Sequence, residues 1–191
     1  MTDLETNSIF TGKPQSSEGR SAVEMAAYDL LDELDISYTR VDHPPAMTIA
    51  DCENADRLLK ISIAKNLFLC NSGKSMFYLL IMPGEKPFKT KFLSKALGIA
   101  RLSFAPAEFM EEYLGVTPGS VTILGLMNDK ANKVQLIIDR DILRHELFGC
   151  HPCANTSSIG VKTADIMAKF LPRVKHEPIL VDLPDAAEIP E

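Results

Sequence analysis

The sequence predicts a single α/β domain in which a mixed β-sheet is surrounded by helices. The chain has 191 residues, of which 46% are hydrophobic, and this is enough to bury one substantial core. Strand-like and helix-like segments alternate, but two pairs of neighbouring strand segments have hairpin patterns, which favours a mixed sheet over a doubly wound parallel sheet. No repeat or low-complexity linker interrupts residues 21–184, so we expect one domain there.

Helices are predicted from apolar spacing and from residues typical of helix ends. Ser21 and Glu24 have the form of a capping box before a helix at 22–34. Gly98 and Gly115 occupy positions where a left-handed glycine ends a helix. Further helices are expected at 48–58, 88–97, 106–114 and 141–148, and from Thr163 to just before Pro172.

Strands are predicted from short apolar runs bounded by turn residues. The runs 67–70 and 76–82 flank a turn and form a hairpin pattern. Because both runs are almost continuously apolar, we expect both faces of the hairpin to be covered. A second pair of strands is expected around the turn at 128–130. This second pair consists of 121–126 and 134–139. The remaining predicted strands are 38–41, 157–162 and 179–181.

The ends of the chain and its composition indicate a cytoplasmic protein. Residues 1–20 have the composition of a polar lead-in and residues 185–191 that of a tail. The first residues lack the features of a signal peptide, and no apolar run reaches the roughly 18 residues that a membrane helix needs. The four cysteines are therefore expected to be free thiols.

Charge is distributed unevenly along this acidic chain. The formal net charge is −6, which argues against a protein that coats nucleic acids without specificity. One segment, 86–101, nevertheless contains five basic residues and no acidic residue. This segment is either a local RNA-contacting surface or an ordinary solvated helix face. Its basic residues are Lys86, Lys89, Lys91, Lys95 and Arg101.

Three short segments carry polar groups suited to a small hydrolytic pocket. Lys65 opens an apolar strand, so its ammonium must find an anion or extend back to water. The glycine- and hydroxyl-rich stretch 115–122 could offer backbone N–H groups to an oxygen, or could simply end a helix and turn into a strand. His151, followed by Asn155 and Thr156, could orient a water or hydroxyl, or could bond to a backbone carbonyl in a turn.

Several other chemistries have little support. The 115–122 stretch lacks the Gly-Lys-Ser/Thr of a Walker loop, and no dinucleotide fingerprint, nucleophile elbow or metalloprotease helix motif is present. Cys150 and Cys153 could form a redox pair or half of a zinc site. However, they come late in the chain after a predicted helix, and no other ligands lie at a useful spacing.

The combination of these segments resembles the YbaK-like aminoacyl-tRNA editing family, which includes the insertion domain of bacterial prolyl-tRNA synthetases and free-standing relatives. The resemblance extends from about residue 22 to 183. The motifs that carry it are Lys65-Asn66-Leu67-Phe68-Leu69, Gly115-Val116-Thr117-Pro118-Gly119-Ser120-Val121, Asn128-Asp129, His151-Pro152-x-x-Asn155-Thr156, His43-Pro44, Leu102-Ser103-Phe104-Ala105 and His176-Glu177-Pro178.

The resemblance implies a compact domain with a curved mixed sheet that deacylates mischarged tRNA(Pro) in trans, most closely Ala-tRNA(Pro), without metal or cofactor. It implies tRNA as the partner, together with prolyl-tRNA synthetase, and no membrane or DNA. A synthetase pocket discriminates one methylene by only about 1–3 kcal/mol, so a second, smaller site removes the error. Hydrolysis of the activated ester then depends on positioning and oxyanion stabilisation.

The resemblance also implies roles for individual residues. Lys65 would hold the 3′-terminal nucleotide, and His151 with Asn66 would place water or the ribose 2′-hydroxyl. The backbone around Gly119 would stabilise the carbonyl, and the basic segment would meet the acceptor stem. Substrate-binding residues would be Gly115, Thr117, Pro118, Ser120, Asn155 and Thr156, and tRNA-binding residues Lys86, Lys89, Lys91 and Lys95.

The sequence departs from the family pattern at positions that we expect to lie beside the amino-acid pocket. These are Ile123-Leu124 in place of Pro-Phe, Cys150 in place of phenylalanine, and Ser157-Ser158 in place of threonines. They leave two alternatives open: a deacylase for another species such as Cys-tRNA(Pro), and a non-catalytic tRNA- or protein-binding module of the same fold. A third alternative is a thiol redox protein that uses Cys150 and Cys153.

Overall fold

The computed structural model describes residues 8–46, 53–61 and 64–188, and it confirms a mixed α/β domain. The strands are β1 (Phe10–Thr11), β2 (Tyr38–Asp42), β3 (Lys65–Cys70), β4 (Phe77–Met82), β5 (Ser103–Phe104), β6 (Val134–Asp139), β7 (Leu147–Cys150), β8 (Ser157–Lys162) and β9 (Ile179–Val181). The α-helices are α1 (Ala22–Glu33), α2 (Glu53–Leu59), α3 (Thr90–Leu97), α4 (Ala107–Phe109), α5 (Thr163–Asp165) and α6 (Leu171–Val174).

Two kinds of tighter or wider helical turn complete the secondary structure. The π-helical turn Met110–Leu114 continues α4, and a second one, Ile166–Phe170, joins α5 to α6. The 3₁₀ segments are Ile123–Met127, Arg140–Arg144 and Ala186–Glu188. Within the described ranges, no helix is both long and apolar enough to cross a membrane.

The strands form two sheets, where the sequence predicts one. The first sheet has the order β1-β2-β8-β7 and is antiparallel throughout. The second has the order β5-β3-β4-β6-β9, in which β4, β6 and β9 run parallel and the other pairs antiparallel. The single-sheet expectation is wrong because β2 pairs with β8 over its whole length and with no strand of the second sheet.

The β3–β4 hairpin is confirmed, and both of its faces are covered as expected. Its register runs from Lys65 opposite Met82 to Cys70 opposite Phe77. Since side chains alternate along a strand, Phe68 and Leu79 enter the larger core while Leu69 and Leu80 enter the smaller core under α3. The hairpin is therefore the layer that separates two apolar clusters.

The predicted strand at 121–126 is wrong, because these residues lead into and form the 3₁₀ segment. Thr122 caps this segment by accepting a hydrogen bond from the Leu124 N–H at 3.3 Å. All five residues of Ile123–Met127 are buried, and a short buried apolar run does not distinguish a strand from a helix. Because 121–126 is not a strand, β6 does not form the predicted second pair and instead pairs in parallel with β4 and β9.

Two predicted helices near the C-terminus differ from the structure. The segment 141–148 divides into a 3₁₀ segment and the strand β7, whose Phe148 lies opposite Val161. The last helical region begins at Thr163 and continues past Pro172. The π-helical turn Ile166–Phe170 ends just before Leu171, where α6 begins. Pro172 then lies in the first turn of α6, where its missing N–H costs little.

The chain ends and the second helix fit their predictions only in part. Within the expected polar lead-in, β1 pairs with β2, with Phe10 opposite Arg40. The predicted start of the second helix at Thr48 lies outside the described residues, and the helix is described from Glu53. At α1, Ser21 accepts a hydrogen bond from the Glu24 N–H at 3.1 Å, as predicted.

Gly98 and Gly115 follow α3 and the turn Met110–Leu114 in the same left-handed conformation, with φ of 65° and 66°. Their surroundings differ. A methyl group at Gly98 would meet nothing within 4 Å, whereas one at Gly115 would lie 2.8 Å from Asn128 Nδ2. That Asn128 amide donates to the Leu114 carbonyl at 2.8 Å, so it cannot move away without losing a hydrogen bond.

We expect Gly115→Ala to destabilise the fold more than Gly98→Ala. The matched Gly98→Ala variant carries only backbone strain, about 1 kcal/mol. Gly115→Ala adds the collision with Asn128, for a total of about 2–3 kcal/mol. Urea unfolding followed by circular dichroism measures both free energies of unfolding, and equal losses in the two variants would contradict the close approach at Gly115.

Candidate active site

Two hydrogen bonds and one side-chain contact bring together the three segments that the sequence singles out. The Ala64 N–H, just before β3, donates to the Gly149 carbonyl in β7 at 3.2 Å. Asn66 in β3 binds the start of the 3₁₀ segment, where its Oδ1 accepts from the Ile123 N–H at 3.0 Å. The Thr122 side chain lies beside Cys150, the last residue of β7. The start of β3, the end of the glycine-rich stretch and the approach to His151 therefore form one junction.

Lys65 is the first residue of β3 and is partly buried. Its ammonium donates a hydrogen bond to the backbone carbonyl of Lys86. Burial lowers the pKa of Lys65, and the nearby Glu85 opposes this shift. The ammonium is thus held in place by a neutral acceptor and keeps its positive charge available to an anionic or polar ligand.

Lys86 is a structural residue, which removes it from the expected tRNA-binding set. Its side chain is buried, and its ammonium contacts Asp139 at 3.0 Å, Asp141 at 2.6 Å and the Leu183 carbonyl at 2.8 Å. Burial opposes the charge, but the hydrogen bonds to Asp141 and Asp139 outweigh it and raise the pKa of Lys86. An ammonium enclosed in this way cannot also face an RNA phosphate.

Asn66 links the segments of the site through both ends of its carboxamide. Its Nδ2 donates to the Ala64 carbonyl at 2.9 Å while its Oδ1 accepts from Ile123. These two bonds fix the orientation of the amide. Asn66 is therefore positioned as a brace between β3 and the 3₁₀ segment, and the expectation that it helps place water stays a prediction.

The stretch 115–120 consists of a helix end followed by a tight turn. The Ser120 N–H donates to the Thr117 carbonyl at 2.9 Å, with Pro118 and Gly119 between them. Gly119 has φ of 87°, as the third position of a type II turn requires. The amides of Gly115, Val116 and Ser120 are bonded to carbonyls of the helix end or the turn, and Pro118 has none, which leaves those of Thr117 and Gly119 as candidate oxyanion donors.

His151 follows β7 and has a defined orientation. Its Nδ1 lies 2.8 Å from the Ser157 carbonyl, which can only accept, so Nδ1 carries the proton and the neutral ring has its lone pair on Nε2. Burial lowers the pKa of His151, and the neighbouring His43 lowers it further despite the opposing bond to Ser157. The ring is thus neutral at pH 7 and can accept a proton at Nε2.

Asn155 and Thr156 hold the segment that follows β2. The Thr156 carbonyl accepts from the His43 N–H at 2.9 Å, and the Asn155 carbonyl accepts from the Ala46 N–H at 2.8 Å. The Asn155 side chain also donates to the Ala46 carbonyl at 3.1 Å. Both residues thus continue the β2–β8 pairing into the segment before β8. Their expected contact with substrate stays a prediction.

The sequence singles out Ser157 and Ser158 only as departures from the family pattern, and their contacts behind His151 were not predicted. Ser157 and Ser158 in β8 are fully buried. The Ser157 hydroxyl lies 3.0 Å from the Tyr28 hydroxyl, and the Ser158 hydroxyl lies 2.9 Å from His43 Nε2. The available signal is a pair of adjacent serines inside an otherwise apolar strand, because a buried hydroxyl needs a partner.

The residues that depart from the family pattern are buried next to the segments of the site, and their expected position beside the amino-acid pocket stays a prediction. Ile123, Leu124 and Cys150 are 0% exposed and belong to the main core, and both serines are also 0% exposed. A side chain with no exposed surface acts on a ligand only through its neighbours. These substitutions therefore change the packing behind the site.

The cysteine pair is buried and poorly suited to redox chemistry. Cys150 and Cys153 are free thiols, and burial raises the pKa of Cys150 to about 12 and raises that of Cys153 as well. The reactive thiolate is therefore scarce at neutral pH. Among the residues that the structure describes, no group of three or more His, Cys, Asp or Glu side chains could hold a metal ion.

Four basic residues of 86–101 remain on the surface. Three of them, Lys89, Lys91 and Arg101, line a cavity of about 410 Å³ together with Thr90 at the start of α3. Lys95 is exposed on the same helix. Lys89, which lines this cavity, comes three residues after Lys86, whose carbonyl accepts the hydrogen bond from Lys65.

A model of the aminoacyl-tRNA editing domain matches residues 43–169, which include every segment of this site. The chain belongs to the aminoacyl-tRNA editing domain family. The match contains β3 with Lys65, the stretch 115–122 and His151. The resemblance noted from the sequence is therefore confirmed.

Similar proteins with known names support this assignment. The prolyl-tRNA editing protein ProX of Acetoanaerobium sticklandii is 31% identical over 136 residues, covering 71% of this chain and 83% of that protein. The prolyl-tRNA synthetase associated domain-containing protein 1 of Danio rerio is 30% identical over 155 residues, covering 80% and 83%. A solved structure with a proposed role as a trans-editing enzyme for prolyl tRNA synthetase has a TM-score of 0.63 at 14% identity, covers 86% of this chain and 99% of its own, and shares the fold.

We expect Cys150 and Cys153 to resist alkylation in the folded protein, because burial keeps them protonated and out of reach. Iodoacetamide at pH 8 should label both only after unfolding in guanidinium, as peptide mass spectrometry will show. Ser72→Cys, in the exposed β3–β4 turn, is the matched control that should be labelled in the folded state. Rapid alkylation of Cys150 or Cys153 in the folded protein would contradict this prediction and would support the redox interpretation.

Proposed function

We propose that this protein is a trans-editing hydrolase that cleaves the ester between a wrongly attached amino acid and tRNA(Pro). The observation that carries the proposal is the neutral, oriented His151 at the junction of the three segments in a member of an editing family. The name of the relative ProX and the proposed role of the structural neighbour support tRNA(Pro) as the RNA. Such a protein would act in the cytoplasm, beside prolyl-tRNA synthetase.

Alanine is the proposed amino acid. A proline pocket cannot exclude the smaller alanine by more than about 1–3 kcal/mol per methylene, so alanine is an error that binding alone leaves uncorrected. A second site that rejects proline by size and accepts alanine would remove it. The resemblance of this chain to free-standing deacylases of alanyl-tRNA(Pro) favours this choice.

The proposed reaction needs one base, one oxyanion site and one anchor. His151 Nε2 either takes a proton from the attacking water or hydrogen-bonds the ribose 2′-hydroxyl, which in turn positions that water. In both cases the water oxygen attacks the ester carbonyl carbon. The amides of Thr117 and Gly119 stabilise the oxyanion of the tetrahedral intermediate. Its collapse breaks the bond to the ribose oxygen, which receives the proton, and releases the free amino acid and the tRNA 3′-hydroxyl.

Lys65 is the proposed anchor for the 3′-terminal nucleotide. Its ammonium is already oriented by the Lys86 carbonyl, so little side-chain freedom is lost when a phosphate or another polar group of the substrate binds. The charge would fix the ester relative to His151, and such positioning supplies a large part of the rate in ester hydrolysis.

The proposal is tested by incubating the protein with Ala-, Cys- and Pro-tRNA(Pro) and measuring which esters disappear. We expect rapid loss of Ala-tRNA(Pro) and persistence of Pro-tRNA(Pro). Lys65→Ala should reduce single-turnover deacylation by about 100-fold, since it removes a charge that positions the substrate. Lys74→Ala, at the opposite end of the same hairpin, is the matched control and should retain full activity.

Each other outcome has a distinct meaning. Preferential loss of Cys-tRNA(Pro) would identify the alternative substrate and leave the reaction class intact. Persistence of all three esters would favour a non-catalytic binding module. Unchanged single-turnover rates in Lys65→Ala would show that Lys65 is not the anchor.

We further propose that Lys89, Lys91, Lys95 and Arg101 contact the acceptor stem. Three of them surround one cavity, and the 86–101 segment contains no acidic residue that would repel a phosphate. In a chain of net charge −6, such a local cationic surface is where an RNA backbone can approach. Lys86 is excluded because its ammonium is enclosed by carboxylates.

Substitution of these residues should weaken tRNA binding in a salt-dependent way. Lys89→Ala, Lys91→Ala and Arg101→Ala should each lower the slope of log affinity against log salt by about 0.7–0.9, the value for one phosphate contact. Filter binding to deacylated tRNA(Pro) at salt concentrations from about 50 to about 200 mM gives the slope. The exposed Lys130→Ala is the control, and identical slopes in all variants would contradict the proposed surface.

A further inference from the structure

We propose that His43 is a positioning residue which acts through the Ser158 hydroxyl to hold His151 in its reactive tautomer. The role of His151 in catalysis rests on the function proposed above, whereas the tautomer is a property of the free protein. His43 lies just after β2, is 6% exposed and has no part in the reaction as described so far.

The contacts of His43 determine which of its nitrogens carries the proton. Nδ1 lies 2.8 Å from the Pro44 carbonyl. Because a carbonyl oxygen only accepts, Nδ1 must donate, and the neutral ring then has its lone pair on Nε2. The Ser158 hydroxyl lies 2.9 Å from Nε2, so it must donate to that nitrogen. The Pro44 carbonyl therefore fixes the direction of the Ser158 hydrogen bond.

The direction of that bond has a consequence at His151. Since the Ser158 hydrogen points to His43, the Ser158 oxygen presents only lone pairs to His151 Nδ1, which lies 3.5 Å away. The Ser157 carbonyl, at 2.8 Å from the same nitrogen, is also an acceptor. Both neighbours of Nδ1 thus favour a proton there and leave Nε2 as the base.

Without His43, the Ser158 hydroxyl would be able to rotate. Its hydrogen could then point at His151 Nδ1 and compete with the Ser157 carbonyl, which would stabilise the tautomer with the proton on Nε2. A ring in that tautomer has no lone pair where the proposed reaction needs one. The role assigned to His43 is to keep this competing donor turned away.

The surroundings protect this arrangement from exchange with solvent. Ser158 is 0% exposed, and the two imidazole rings are 5.8 Å apart at 54°. Two imidazolium ions at that distance would repel each other, and the proximity of His43 contributes to the lowered pKa of His151. The charged groups of α1, β2 and their lead-in that lie on this side form ion pairs: Glu24 with Arg20, and Asp42 with Arg20 and Arg40.

The test combines a direct readout of the tautomer with kinetics. In protein labelled with ¹⁵N-histidine, the imidazole nitrogen shifts of His151 should report the proton on Nδ1. His43→Ala should shift His151 towards the other tautomer and lower kcat for Ala-tRNA(Pro) about tenfold, the effect of one hydrogen bond, with KM unchanged. It should also alter the pH at which His151 titrates in the kcat profile.

Two further variants separate positioning from loss of structure. His43→Gln keeps a side-chain carbonyl that can accept from Ser158, so it should restore most of kcat and the wild-type tautomer. Ser158→Ala in the His43→Ala background removes the competing donor, and should return His151 towards the Nδ1 tautomer. The exposed His145→Gln is the matched control and should change neither readout.

Defined results would overturn the proposal. A wild-type His151 with its proton on Nε2, or a folded His43→Ala protein with unchanged nitrogen shifts and kcat, would each do so. If His43→Ala does not fold, two other readouts decide. A wild-type His43 with its proton on Nε2 would contradict the proposed direction of the Ser158 hydrogen bond. A shift of His151 away from the Nδ1 tautomer in Ser158→Ala would contradict the assignment of that hydroxyl as a competing donor. Because the nitrogen shifts need no substrate, failure of the proposed hydrolysis would be recognised separately.

Discussion

The carboxamide of Asn66 is the contact on which the arrangement of this site depends. It accepts a hydrogen bond from the Ile123 N–H and donates one to the Ala64 carbonyl, while the Ala64 N–H binds Gly149. One side chain at the start of β3 thereby connects the central hairpin to the 3₁₀ segment, and its neighbour connects the hairpin to the first sheet. Both bonds lie in a partly buried region, where an unmade hydrogen bond costs about 1–3 kcal/mol. The geometry of the site is therefore tied to the stability of the fold.

The two sheets contribute different parts of the chemistry. The second sheet supplies Lys65 and fixes the position of its backbone, since β3 lies between β4 and β5 and is packed on both faces. The first sheet supplies His151 together with the buried hydroxyls and the His43 ring that orient it. The cation that would bind the substrate and the base that would activate water thus come from separate rigid layers. Their relative position therefore depends on contacts between the layers, such as the hydrogen bond from the Ala64 N–H to the Gly149 carbonyl.

Much of the fold could be predicted from the sequence, because apolar periodicity and helix-ending glycines are local signals. The hairpin 65–82, helix α1 and the left-handed Gly98 and Gly115 are examples. The 3₁₀ segment was mistaken for a strand because its conformation depends on Asn66, 57 positions away. Within the site, Lys65 and His151 could be named from their motifs. The contribution of His43 could not be predicted, since it depends on a β2–β8 pairing that no local pattern encodes.

Lys86 illustrates how a single residue can serve the core with its side chain and the site with its backbone. Its ammonium is enclosed by Asp139 and Asp141, while its carbonyl receives the ammonium of Lys65. Removing that side chain would leave the buried Asp139 carboxylate without its counter-ion and would release the turn that orients Lys65. An alanine scan of the basic segment would consequently record a loss of activity at Lys86 as severe as at a true RNA contact. Only the salt dependence of binding, which a structural loss leaves unchanged, would distinguish the two.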